Sequence, residues 1–242
     1  MPGNHRLITG HNRDFDRICS QFSWNIPEHF NIADAVCDRH TDLSGKLALI
    51  CEHEQGQRTT YTFSDIRRLS NQLANVLKAK GINRGDRVAI VLPQRVETAI
   101  AHLAAFKIGA ITVPLSVLFG EDALRFRLGD SGAALVISDQ VHQGVLETLR
   151  PDLELLQSVI NCDEDGKDGL WPLMSVAGDQ FECTRTRADD PAIIIYTSGT
   201  TGPPKGALVA HRCLLGNLPG FEMSQEYFPQ KDDLFWTPAD WA

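Results

Sequence analysis

Short, almost uninterrupted apolar runs alternate with helix-length stretches through most of this chain, and that alternation narrows the folds open to it. Residues 87–92, 110–113, 133–138 and 158–161 read as strands. Between them, 94–109, 122–130 and 141–149 read as helices, the first carrying Val96, Ile100, Leu103 and Ala104 as its apolar stripe. Strands that are apolar on both faces belong in a sheet covered on both sides. The expected class is therefore α/β, with mostly parallel sheets flanked by helices. Upstream, 60–63 reads as a strand and Ser64 as the cap of a helix whose Ile66, Leu69, Leu73, Val76 and Leu77 share one face, stopped at Gly81. The polar stretches 163–169 and 183–190 are expected to bound a surface excursion before the sheet resumes at Ala192. The runs 133–137 and 192–196 read as buried strands.

Composition removes several function classes. At 242 residues, 43% hydrophobic and 22% charged, the chain is long and apolar enough for a globular core. A net charge of −8 without any lysine/arginine run argues against nucleic acid. No window reaches the apolar length of a membrane span, and residues 1–20 lack the apolar core of a secretory signal. Six cysteines, at 19, 37, 51, 162, 183 and 213, make no Cys-x-x-Cys pair, so reduced thiols and a cytoplasmic location are expected. Eight scattered histidines form no HExxH-like pair and no metal site is expected. His211 reads as a cap or packing residue, not a general base.

The strand at 192–195 runs into Tyr196-Thr197-Ser198-Gly199-Thr200-Thr201-Gly202-Pro203-Pro204-Lys205-Gly206. Here are the ingredients of a loop that holds phosphate. Gly199, Gly202 and Gly206 admit positive φ, which lets successive N–H groups turn inward around an anion. Thr197, Ser198, Thr200 and Thr201 add hydroxyl donors and Lys205 a mobile charge, while Pro203 and Pro204 stiffen the segment. A Walker A loop is excluded because Gly206 follows Lys205 where Ser or Thr is needed. A nucleophile elbow is excluded because Tyr196 and Thr200 flank Ser198 where glycines are needed. The bland alternative is a flexible surface loop with no ligand.

This loop resembles the signature phosphate loop of the adenylate-forming (AMP-binding) superfamily. Two further segments carry the resemblance: Phe106-Lys107-Ile108-Gly109-Ala110-Ile111-Thr112-Val113-Pro114-Leu115, and Phe235-Trp236-Thr237-Pro238-Ala239-Asp240-Trp241. With Phe30-Asn31-Ile32-Ala33 and Thr60-Tyr61-Thr62-Phe63-Ser64, they are most similar to acyl-CoA synthetases of the acetyl/medium-chain type. The resemblance implies a polar N-terminal extension over 1–25, then the N-terminal portion of the AMP-binding domain over 26–242, so that the large domain is incomplete. On the same ground the C-terminal domain, with the family's catalytic lysine, is expected beyond residue 242, which leaves the catalytic group unassigned.

The implied chemistry is activation of a carboxylic acid by ATP with Mg²⁺, releasing pyrophosphate, followed by transfer of the acyl group to CoA. That places the chain in fatty acid metabolism. Thr197, Ser198, Gly199, Thr200, Thr201, Gly202 and Lys205 would grip the phosphates, with Thr200 and Thr201 in direct contact. Trp236, Asp240 and Trp241 are candidates for the acyl pocket, against a reading of the same aromatics as core. The fragment alone is expected to be inactive and prone to self-association. The alternatives are a non-enzymatic truncated product, or an adenylation domain that hands the acyl group to a carrier protein.

Overall fold

The computed structural model describes residues 14–40, 44–52, 56–197, 202–230, 232–239 and 241. Helix α1 (Phe15–Gln21) buries none of its residues. A π-helical turn, Asp34–Asp38, follows. It is set by buried Asn31, whose side-chain oxygen accepts from Ala33 N (2.9 Å) and whose amide donates to Phe106 O (2.7 Å). Strands β1 (Leu47–Glu52) and β2 (Arg58–Thr62) make a separate antiparallel hairpin. Helix α2 (Phe63–Ala79) begins with no spacer after β2.

That junction corrects the expected cap. Thr62, not Ser64, closes the first turn: its Oγ1 accepts from Asp65 N, and the Asp65 carboxylate accepts from Thr62 N at 2.9 Å. The strand's last residue is thus also the helix's cap. The predicted face is as expected, with Ile66, Leu69, Leu73, Val76 and Leu77 all buried.

The central sheet is built from β3 (Arg87–Val91), β4 (Ile111–Pro114), β5 (Ala133–Ser138), β6 (Ser158–Asn161), β7 (Pro191–Thr197) and β8 (Lys205–Ala210). Its spatial order is β6-β5-β3-β4-β7-β8. The first five strands run parallel, and β8 returns antiparallel to β7. Connections are made by α3 (Val96–Lys107), α4 (Glu121–Ser131), α5 (Gln143–Leu149) and α6 (Leu170–Ser175), and α7 (Cys213–Ser224) follows β8. Alternate residues of the strands feed two cores. Val88, Ile90, Leu135 and Ile137 pack with Leu73, Leu77, Ile100 and Met174 on one face, whereas Ala89, Val91, Val113 and Val136 pack with Leu124, Leu128 and Leu146 on the other. The mostly parallel, helix-flanked sheet is the fold expected from the sequence.

Two expectations need amending. The stretch between 163 and 190 is mostly exposed but is not a loose excursion, since Leu170 and Met174 are fully or almost fully buried and Asn71 and Asn75 of α2 donate to backbone carbonyls of 178–180. Nor is the run 192–196 wholly buried: Ala192 is, but Ile195 is 40% exposed, because β7 lies one strand from the sheet edge where cover thins.

Candidate functional site

Five parallel strands end on one edge of the sheet, so the loops after them share it. In open α/β sheets, ligands bind along that edge, at the carboxyl ends of the strands. The Gly/Thr segment leaves β7 there and returns as β8. Its stems are in register, with Tyr196 opposite Gly206 and Thr197 opposite Lys205. The loop is therefore a hairpin connection whose ends are held by a β ladder, at the place where the fold favours a ligand.

Among the proposed phosphate ligands, Thr197 and Lys205 are exposed at the two stems, and Lys205 makes no ion pair with any described residue. Gly202 adopts φ +90°, as its predicted role requires. Ser198, Gly199, Thr200 and Thr201 lie outside the described residues, as does Asp240. Gly206 departs from expectation: it sits in the extended strand β8 and does not use positive φ. A Cβ there would stand 2.9 Å from Ile194 Cγ2 and 3.2 Å from Tyr196 Cζ, so close approach is what demands glycine.

Tyr196 is the hub of the stems. Its hydroxyl donates to Asp130 Oδ2 (2.6 Å), and burial, reinforced by that carboxylate, raises its pKa. Beside it lies Arg127, only 8% exposed, with its guanidinium carbon 4.0 Å from the Phe119 ring centroid and 5.7 Å from that of Tyr196. Arg127 donates to Ala123 O (2.9 Å), its Nε has no hydrogen-bond partner, and it forms no ion pair among the described residues. Two aromatic faces offset part of the cost of burying this cation, at about 0.5–2 kcal/mol each.

Nearby, His142 is buried and bonds Asp139 Oδ1 (2.7 Å) and Val117 O (3.0 Å), tying the loop after β5 to the loop after β4. Gln94, after β3, donates to Ala239 O, which brings the 232–239 segment to the same edge. The aromatic motif thus reaches the carboxyl edge but does not enter the core. Trp236 is 78% exposed, and Phe235 stacks edge-on with Phe221 at 5.3 Å. Two open clefts of about 380 and 390 Å³ lie elsewhere, around Asp38 and Phe181, and neither is lined by a described residue of 197–206 or 235–241.

Sequence reading missed Arg127, Asp130 and Gln94. A signal existed for the first: Leu124, Arg127, Leu128 and Ser131 occupy the buried stripe of α4, so an arginine stood at a core position. His211 is a packing residue, as expected. It is fully buried, accepts from Ile32 N through Nδ1 (3.2 Å) and meets the Phe106 ring.

The site thus consists of a mostly parallel α/β sheet with the stems of a glycine- and hydroxyl-rich segment at its carboxyl edge. The sequence profile of the AMP-binding enzymes matches residues 38–242, and the chain belongs to that family. The acetyl-coenzyme A synthetase of Pasteurella multocida is 34% identical over 90% of this chain and 36% of its own length. The mitochondrial acyl-coenzyme A synthetase ACSM3 of Homo sapiens is 30% identical over 99% of this chain and 43% of its own. The crystal structure of a Brucella canis acyl-CoA synthetase superposes with a TM-score of 0.81 at 28% identity, covering 93% of this chain and 43% of that one. The chain thus spans about two fifths of the length of the relatives it matches. No helix among the described residues is long and apolar enough to cross a membrane.

Proposed function

We propose that this chain supplies the phosphate-gripping part of an AMP-forming acyl-CoA synthetase. The observation that carries the proposal is the β7–β8 hairpin: the stems of a Gly/Thr/Lys loop held in register at the carboxyl edge, with Lys205 in no ion pair among the described residues. In this reading a carboxylate attacks the α-phosphorus of ATP and pyrophosphate leaves, and the CoA thiol then attacks the acyl carbonyl of the adenylate, forming the thioester and releasing AMP and the thiol proton. Positioning and charge stabilisation carry such a step. Thr197, Gly202 and Lys205, with Ser198, Gly199, Thr200 and Thr201, hold the departing β- and γ-phosphates, and Mg²⁺ accompanies the nucleotide. The chain's residues fit that group, because Lys205 is an exposed cation and the backbone at Gly202 turns in the left-handed sense.

Trp236, Asp240 and Trp241 border the acyl site in this account, and the contact of Gln94 with Ala239 supports that placement. Six free thiols fit a reducing compartment such as the cytoplasm. Exposed Ile195, Leu208, Leu234 and Trp236 favour self-association of the isolated chain, which a sedimentation series over concentration would reveal. Transfer to CoA is favoured over transfer to a carrier protein because the curated relatives are coenzyme A synthetases.

The test is titration of the 242-residue chain with MgATP and with pyrophosphate, alongside the variant Lys205→Ala. Saturable binding that weakens by about 1.5–3 kcal/mol in the variant is expected. Equal binding by both proteins would remove Lys205 from the site.

A further inference from the structure

Four residues from four segments stand in one column: Phe119 after β4, Arg127 on α4, Tyr196 on the incoming stem of the Gly/Thr loop, and Gly206 on its outgoing stem. Arg127 lies between the Phe119 and Tyr196 rings, and the Tyr196 ring occupies the space that a side chain at 206 would need. The Tyr196 hydroxyl then ties the column to Asp130, one helical turn beyond Arg127. A leucine or methionine would fill the Arg127 site without the cost of burying a charge. Arginine adds a flat face that can stack on two rings at once.

We propose that Arg127 is a positioning residue, which acts through Tyr196 to fix both stems of the phosphate loop against α4. It touches no reacting atom in this account. Its effect is on the direction in which the loop leaves β7 and on the rigidity with which it returns. The meaning of this for nucleotide binding rests on the proposed function, whereas the mechanical link between α4 and the hairpin does not.

The experiment compares the 242-residue chain with Arg127→Met, Arg127→Lys and Tyr196→Phe by amide hydrogen exchange, and titrates each with inorganic pyrophosphate. In Arg127→Met, exchange of the paired amides around 196 and 206 should rise about ten-fold while β3 and β5 stay within about two-fold. Arg127→Lys keeps the charge but not the flat face and should behave like Arg127→Met. Tyr196→Phe keeps the ring and guards against a variant that merely fails to fold, and it should show a smaller rise confined to the same hairpin. The pyrophosphate dissociation constant should increase about five- to ten-fold in Arg127→Met. Unchanged stems, or a rise shared equally by β3 and β5, would overturn the proposal, as would loosened stems with unaltered pyrophosphate affinity. If the unmodified chain binds no pyrophosphate, the proposed function fails, and the exchange data still decide whether the column holds the stems.

Discussion

Lys107 Nζ lies 2.8 Å from Asp38 Oδ1, with no part of the lysine side chain exposed to solvent. The ammonium also donates to Asn71 Oδ1 (2.6 Å), so the last residue of α3 is locked to the π-helical turn and to α2 at once. Lys107 belongs to one of the sequence segments that carried the family resemblance. Its role in the fold is a buried tie beneath the sheet's first crossover.

Breaking that tie should cost stability in a definite order. Lys107→Met leaves Asp38, which keeps 16% of its side-chain surface, to be solvated in place. Asp38→Asn leaves an ammonium with no exposure at all. Asp38→Asn should therefore be the worse of the two, with both near about 3–5 kcal/mol in a denaturant titration. The reverse order would show that leaving the buried lysine without its carboxylate is not the costlier change.

Glycine substitutions separate close approach from backbone strain. Gly206→Ala drives a methyl into Ile194 and Tyr196 and should cost about 1–3 kcal/mol while weakening MgATP binding. Gly202→Ala meets no described residue within 4 Å, but its φ of +90° should cost about 1 kcal/mol. Thermal melts of the two variants, read beside nucleotide titrations, check both figures.

Acid should weaken the fold through His211. Burial lowers its pKa from 6.5 to about 4, aided by Arg84 and opposed by Asp190. Between those values the unfolded chain binds the proton and the folded chain does not. Stability fully present above pH 6.5 is then lost as pH falls towards 4, by at most about 3 kcal/mol. His211→Asn keeps an acceptor for Ile32 N and cannot titrate, so its stability should vary less with pH across that window. An identical profile would assign the acid sensitivity elsewhere.

Thiol reactivity should follow burial. Cys19 and Cys213 are exposed. Burial pushes Cys37 up to about 11 and Cys183 up to about 12, and it raises Cys162 as well. At pH 8 a thiol reagent should label Cys19 and Cys213 quickly, the half-buried Cys183 slowly, and Cys37 and Cys162 only after unfolding. Fast labelling of Cys162 in the native chain would contradict the packing around β6.

The fold was legible because its strands were apolar on both faces and its helices had one stripe, a pattern that only a covered parallel sheet satisfies. The bounds of β5 and β6 were correct to the residue. The Thr62 cap was hidden because the same residue ends a strand and starts a helix. Glycine in the loop was legible, but the two reasons for it were not distinguishable: Gly202 serves backbone sign and Gly206 makes room for Ile194 and the Tyr196 ring. Arg127 was hidden by its type, since charge in a helix reads as solvent face unless its position in the stripe is examined. The exposed state of Trp236 follows from tertiary cover, which no local pattern encodes.

The most direct test of the account is acid-dependent exchange of labelled pyrophosphate into ATP, measured with the native protein from its source, over carboxylic acids from acetate to medium-chain length. The account predicts exchange that requires both Mg²⁺ and an acid and that collapses in Lys205→Ala. Exchange absent with every acid, or equally fast with none, would contradict it.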